Sequence, residues 1–198
     1  MKQATNRTRS GCRRRGNVVR CSLLCLMLFG GLIHGWAQDP SQEEFVKTAY
    51  KIKASMLYRF VKYVEWPSEF GDLSELTIGI VGDDPFQGAF EPVENSRYLG
   101  KTLRIHRFGS YHADLDFTRC QVLFISVSER ANINTILTKT RGKMILIVTE
   151  GAEAPVITGM VNFRIQGDQV LYELNPANAA ANRLRFTTSM LKYAHVIY

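Results

Sequence analysis

The chain has 198 residues, with 25 Lys and Arg against 18 Asp and Glu, and four cysteines. The basic excess lies in residues 1–37, which contain seven basic residues and no acidic one. The remaining segment balances 18 basic against 18 acidic residues and keeps one cysteine, Cys120. This excludes an internal disulfide there, and the neutral charge gives no support for nucleic-acid binding or a polybasic membrane patch.

Residues 1–37 have the three parts of a secretory signal peptide. The basic stretch is followed by the apolar run 23–33 and by the small-x-small pattern Gly35-Trp36-Ala37. The apolar run is too short for the roughly twenty residues of a membrane-spanning helix. We predict cleavage after Ala37, export to the periplasm, a flexible lead-in over residues 38–44 and a single domain over residues 45–198.

The first element predicted in the exported segment is a long amphipathic helix over residues 44–66. Its apolar residues recur at steps of three and four. Pro67 ends the helix because its ring excludes the helical conformation for Trp66. The basic residues of this segment lie mostly off the apolar stripe, which predicts a solvated face: Lys47, Lys51, Lys53, Arg59 and Lys62.

A strand, a turn, a helix and a second strand are predicted next. Residues 76–81 (LTIGIV) form the first strand, and the following GDDPF turns the chain into a helix that reaches Glu94. Asp83 or Asp84 is the predicted N-cap. Two carboxylates at that helix start, without a G-x-G-x-x-G motif, argue against a phosphate-binding loop. The alternating residues 102–108 predict a strand near the sheet edge.

The centre of the sheet is predicted at CQVLFIS, residues 120–126. Four consecutive apolar residues, 122–125, offer no polar face, so this strand must be covered on both sides. A second apolar run at 144–148 follows a segment with helical periodicity that ends at Gly142. Strand, helix and strand predict a βαβ unit with parallel strands. Cys120, at the start of the central strand, is predicted to be buried and inert.

The C-terminal third predicts a hairpin and two helices. Residues 160–165 and 170–174 alternate around a Gly-Asp turn, which indicates antiparallel pairing. Asn175 is the predicted cap of a helix starting at Pro176, and an amphipathic helix over 187–196 places His195 near its last carbonyls. The predicted fold is an α/β three-layer sandwich with a mostly parallel central sheet, a C-terminal antiparallel hairpin and helices on both faces.

No catalytic, cofactor or metal site is predicted. His106 falls on the polar face of its strand, and His112, Asp114 and Asp116 lie in a loop without further metal-type residues nearby. An enzyme with Cys120 as nucleophile and His106 or His112 as base is the alternative, but no supporting motif accompanies these residues.

Five segments resemble, in content and order, the YfiR-like family of exported bacterial proteins. They are residues 58–67 (YRFVKYVEWP), 78–86, 120–129, 159–175 and 187–196. The resemblance covers residue 49 to the C-terminus. It implies an α/β domain in the periplasm with no enzymatic activity, which represses an inner-membrane diguanylate cyclase by binding its periplasmic sensor part. That repression would control cyclic-di-GMP and biofilm formation.

The chain differs from the best-understood member of the family in its cysteines. The best-understood family member uses cysteine pairs for redox-dependent stability, whereas the predicted exported chain keeps Cys120 alone. This excludes an internal disulfide switch, and a Cys120–Cys120 bridge in a homodimer would require an exposed thiol.

Partner-binding residues are predicted at the end of the first helix. Tyr58, Lys62, Tyr63 and Trp66 are candidates because aromatic residues and cations are common interface anchors. Packing of Trp66 under the sheet is the competing interpretation.

The alternative function is a periplasmic small-ligand-binding protein or a sensor-kinase accessory protein. A ligand would use the crevice at the carboxyl ends of the parallel strands, near Gly82, Asp83, Ser126 and Ser128.

Overall fold

The computed structural model describes residues 40–151 and 159–196. The predicted signal peptide and its cleavage site lie outside these residues. The described helices are α1 (Pro40–Phe60), α2 (Ile133–Thr140), α3 (Pro176–Ala181) and α4 (Thr188–Lys192). The strands are β1 (Val64–Glu65), β2 (Glu75–Val81), β3 (Arg97–Tyr98), β4 (Lys101–Gly109), β5 (Val122–Ile125), β6 (Leu146–Glu150), β7 (Val161–Gln166), β8 (Gln169–Leu174), β9 (Arg185–Phe186) and β10 (His195–Val196).

Eight of these strands form one mixed sheet in the order β10-β8-β7-β6-β5-β2-β4-β3. Five neighbouring strands are mutually parallel, in the sheet order β4, β2, β5, β6 and β7. Strands β7 and β8 form an antiparallel hairpin. Strand β5 lies at the centre with all four residues buried, because both of its faces are covered. The predicted central strand, parallel βαβ unit and C-terminal hairpin are confirmed.

Helices cover the two faces of the sheet. On one face, α1 packs against the hairpin, with the ring of Phe60 stacked 5.8 Å from that of Phe163. Side chains alternate along a strand, so Ile147 of β6 points to the opposite face from Glu150, which bonds to α1. There Ile147 lines a depression together with residues of α2 and α3. The predicted three-layer α/β architecture is confirmed.

The first helix ends earlier than predicted. It stops at Phe60 and is followed by a 3₁₀ turn, Val61–Tyr63, and then by β1. Val64 is extended and pairs with Phe186 of β9, and the Tyr63 carbonyl accepts the Thr187 N–H at 2.9 Å. Pairing with a distant strand therefore overrides the local helical periodicity. The helix also begins at Pro40, inside the lead-in predicted over residues 38–44.

Two further predicted helices are wrong in extent. After β2 the chain forms only a 3₁₀ turn, Gln87–Phe90, in which Gln87 has a φ of 48°, a left-handed conformation that an α-helix excludes. Asp84 still accepts the Phe86 N–H at 2.8 Å, as a turn cap. Near the C-terminus α4 ends at Lys192, and His195 belongs to β10 beside Glu173 of β8. The helix-end role predicted for His195 is therefore wrong.

The solvated basic face predicted for α1 also needs correction at one position. Lys53 is buried, and its Nζ atom lies 2.6 Å from Oε2 of Glu150 at the end of β6. Lys47, Lys51, Arg59 and Lys62 are exposed, as predicted. None of the described helices is long and apolar enough to cross a membrane.

Candidate functional site

A groove lies between the end of α1 and the edge of the sheet at β3. It has a volume of about 420 Å³. Its two walls come from the α1 end with the following 3₁₀ turn, and from the segment that leads into β3. We call it the tyrosine groove; its lining residues are Tyr58, Arg59, Lys62, Tyr63, Val93, Ser96, Tyr98 and Leu103.

Three tyrosines give the groove its aromatic character. The rings of Tyr58 and Tyr98 meet edge to face, with centroids 5.3 Å apart and an interplanar angle of 83°. Both are half-buried, whereas Tyr63 is 39% exposed. Burial raises the pKa of the Tyr98 phenol, nearby Tyr58 and Tyr63 raise it further, and Arg59 partly opposes the shift. The Tyr98 phenol is therefore neutral at physiological pH and keeps its proton as a donor.

Two cations line the same groove. Arg59 and Lys62 are exposed, and neither forms an ion pair with any residue in the described part of the chain. Both lie at or just beyond the last turn of α1, where a positive charge interacts favourably with the helix dipole. No acidic residue is among the groove's lining residues. The groove is consequently a positively charged, tyrosine-rich depression.

The predicted partner-binding residues are divided by the structure. Tyr58, Lys62 and Tyr63 line the tyrosine groove, but Trp66 does not. The Trp66 indole N–H donates to the Val61 carbonyl at 2.8 Å, and the indole stacks on Phe70 with centroids 4.8 Å apart. Trp66 thus packs on the segment that follows β1 and lines a different depression.

Sequence reasoning missed Arg59 and Tyr98 as groove residues. Arg59 was assigned only to a solvated face, and the strand that carries Tyr98 was not predicted. The sequence does contain a local signal, which is the glycine at position 100. Gly100 lies in the tight turn between β3 and β4 with a φ of 77°, a left-handed conformation that favours glycine. The sequence Arg97-Tyr98-Leu99-Gly100-Lys101 is therefore compatible with a short hairpin.

Comparison with known proteins identifies the family. The family model described as YfiR/HmsC-like matches residues 50–195. The chain belongs to the YfiR/HmsC-like family. No curated protein matches the chain. The matched region contains the whole tyrosine groove and all of the described sheet except the end of β10. The resemblance seen in the five sequence segments is confirmed, and it assigns the chain to a regulatory family.

The residues of the predicted crevice meet at the carboxyl ends of β2 and β5 in this YfiR/HmsC-like fold. The Asp83 N–H donates to Ser128 Oγ at 2.9 Å. A Cβ atom added to Gly82 would lie 2.4 Å from Ser128 Oγ and 3.0 Å from Ser126 Cβ. The four residues are therefore neighbours, as the prediction requires, but the serine side chains fill the space beside the glycine.

Cys120 is buried, with 2% of its surface exposed. Burial raises the pKa of its thiol to about 12, and Asp116 adds to the shift. A thiol with that pKa is protonated at neutral pH and is a poor nucleophile. The predicted burial is confirmed, and a Cys120–Cys120 bridge between two folded copies would require the fold to open.

Among the loop residues with ligand chemistry, Asp116 is engaged by a neighbouring threonine. Asp116 accepts hydrogen bonds from Thr118 N–H at 3.0 Å and from Thr118 Oγ1 at 2.7 Å, which lower the pKa of its carboxyl. In the described part of the chain no three His, Cys, Asp or Glu side chains lie close enough together to hold a metal ion. His106 contacts the ring of Phe108, with centroids 4.2 Å apart.

Proposed function

We propose that this YfiR/HmsC-like protein is a periplasmic regulator without catalytic activity that binds the periplasmic part of an inner-membrane signalling enzyme. The enzyme is a diguanylate cyclase, and binding holds it in an inactive state. Loss of the regulator then raises cyclic-di-GMP and favours biofilm formation. Family membership over residues 50–195 and the signal-peptide pattern in residues 1–37 support this proposal.

The tyrosine groove is the single structural observation that carries the proposal. Tyrosine and arginine are among the residue types most enriched at binding hot spots, and hot spots lie in depressions that lose water on binding. Tyr58, Tyr63 and Tyr98 share one such depression with Arg59 and Lys62. Tyr58, Lys62 and Tyr63 are therefore the proposed partner-binding residues, and Trp66 is a supporting residue beside them.

The test is the intracellular concentration of cyclic-di-GMP in a deletion strain, its parent and a complemented strain. We expect the concentration to rise on deletion and to return to the parental value on complementation. A complementing Tyr58→Ala/Tyr63→Ala variant should fail to restore it, whereas Tyr193→Ala should succeed. Tyr193 is the matched control because it is 75% exposed and lies outside the groove. An unchanged concentration under several growth and stress conditions would contradict the cyclase assignment.

A pull-down from periplasm and inner membrane identifies the partner directly. The tagged protein should recover a membrane protein with a cyclase domain on its cytoplasmic side. Recovery of a histidine kinase would retain the regulatory binding role and replace the cyclase by the sensor-kinase alternative. Repeated recovery of the bait alone, together with unchanged cyclic-di-GMP, would refute the proposed function.

A further inference from the structure

We propose that the element of the partner that enters the tyrosine groove is an acidic segment, in which carboxylates flank an aromatic or aliphatic side chain. This inference rests on the proposed function, because it assumes that the groove is the docking surface. It adds the chemistry of the partner, which neither the family nor the fold specifies.

The first observation in favour of an acidic segment is the positive charge of the groove. Three other exposed arginines in the described chain have carboxylate partners: Arg104 with Glu75 at 3.0 Å, Arg107 with Asp84 at 2.7 Å and Arg183 with Glu69 at 2.6 Å. Exposed arginines outside the groove without an ion pair to a described residue are Arg97, Arg119, Arg141 and Arg185, so what distinguishes Arg59 is that it shares one depression with Lys62. Arg59 and Lys62 have none among the described residues, and no carboxylate lines their groove. A guanidinium binds a carboxylate through two parallel hydrogen bonds, so a partner carboxylate is the complementary group.

The second observation is that the tyrosine hydroxyls of the groove are available as hydrogen-bond donors. In the described structure Tyr58, Tyr63 and Tyr98 have ring contacts or electrostatic neighbours, but their hydroxyls have no hydrogen-bond partner. Burial keeps the Tyr98 hydroxyl protonated, so it can donate to a carboxylate oxygen. Three phenols and two cations therefore present donors, and the groove has no side-chain carboxylate that would repel an anion.

The apolar floor carries the third step. Val93 and Leu103 line the groove beneath the tyrosines, and Leu103 is fully buried in the core. A volume of about 420 Å³ is large enough to receive side chains of a docking segment. An aromatic or aliphatic residue between carboxylates matches this combination of floor and rim.

A purely structural role for the two cations makes a different prediction. Interaction with the α1 dipole would account for Arg59 and Lys62 without any partner. In that case their charge reversal would lower stability and leave partner binding by the folded fraction unchanged. Lys47 and Lys51 provide the matched control, because they are exposed on the same helix and lie outside the groove.

The experiment compares capture of the inner-membrane partner by the full exported chain and two double variants. We expect Arg59→Glu/Lys62→Glu to reduce capture at least tenfold, while Lys47→Glu/Lys51→Glu captures as much as wild type. Capture by wild type should fall between 50 and 300 mM NaCl, since salt screens exposed charges. A photo-crosslinking residue at position 63 should attach to a partner peptide with an excess of Asp and Glu. Urea unfolding of each variant confirms that it is folded.

The outcomes separate this inference from the proposed function. If folded Arg59→Glu/Lys62→Glu captures the same membrane protein as wild type does, the partner's segment is not acidic and only the further inference fails. A crosslinked peptide without an acidic excess leads to the same conclusion. If wild type captures no membrane protein and cyclic-di-GMP is unchanged on deletion, both proposals fail.

Discussion

The buried ion pair between α1 and the end of β6 makes the attachment of the first helix to the sheet testable. Lys53 Nζ lies 2.6 Å from Glu150 Oε2, and the two side chains are 4% and 6% exposed. Tyr50 Oη donates to the other carboxylate oxygen, Oε1, at 3.2 Å. The ammonium also lies 4.3 Å from the centroid of the Tyr50 ring. Each charge is therefore compensated mainly by the other.

Replacing one partner leaves an uncompensated charge in the interior. We expect Lys53→Met to lower the free energy of unfolding by about 3–5 kcal/mol, the usual cost of breaking a buried pair. That is a large share of the roughly 5–15 kcal/mol that stabilises a domain. The double variant Lys53→Met/Glu150→Leu removes both charges and should lie close to wild type or above it, because desolvation of the two charges is no longer required.

Urea unfolding at pH 7, followed by circular dichroism, measures these differences for wild type, both single variants and the double variant. The matched control is Arg183→Met, which removes an ion pair with Glu69. Both side chains of that pair are more than half exposed. We expect no measurable change for the control, because water screens such a pair. The reasoning fails if Lys53→Met costs less than about 1 kcal/mol, or if the double variant is as unstable as the sum of the single variants.

Three further predictions concern the packed interior. The Cys120 thiol should not react with a thiol reagent at pH 8 until urea unfolds the chain. The pKa of this thiol is about 12 in the folded chain against 9.0 in the unfolded chain, so the unfolded state gives up the proton first as pH rises. The free energy of unfolding of wild type should therefore fall by about 2 kcal/mol relative to Cys120→Ala as pH rises to ~10.5, as measured by urea unfolding at each pH. Gly79→Ala should cost about 1–3 kcal/mol, because its Cβ would lie 2.7 Å from Cys120 Sγ, and adding Cys120→Ala should recover part of that loss; equal melting temperatures of the single and double variants would contradict the contact. Asn182→Ala should cost about 1–3 kcal/mol in urea unfolding, because Asn182 bonds both the Gly142 N–H and the Ile145 carbonyl; a stability equal to wild type would show that water replaces both bonds.

The parts of the fold that the sequence predicts well are those that local residues determine. The four apolar residues of β5 require cover on both faces wherever the strand lies, and Asn175 caps α3 through its own side chain, which accepts the Asn178 N–H at 2.9 Å. The β7–β8 turn likewise needs only Gly167 at a φ of 61°. Such features do not depend on distant parts of the chain.

Two of the mispredicted features depend on residues far away in the sequence. The end of α1 is determined by β9, whose Phe186 pairs with Val64. The burial of Lys53 depends on Glu150, 97 positions away. Periodicity along one segment contains no information about either partner, so it extends the helix through Val64 and assigns Lys53 to solvent.

The early end of α1 also explains why the predicted binding residues separate. On a helix continuing through residue 66, positions 58, 62 and 66 would follow one another at steps of four and share a face. The chain instead leaves the helix after Phe60, and the 3₁₀ turn places Tyr63 beside Tyr58 in the groove.

Trp66 contributes to that geometry from outside the groove. A helix end leaves backbone carbonyls without intrahelical partners, and the Trp66 indole N–H satisfies the carbonyl of Val61, the first residue of the turn. The indole is in turn fixed by stacking on Phe70, over which Lys101 Nζ lies 4.9 Å from the ring centroid. Trp66 therefore stabilises the turn that brings Lys62 and Tyr63 to the groove, and we expect any effect of Trp66 on the proposed partner binding to be exerted through those two residues and not through direct contact.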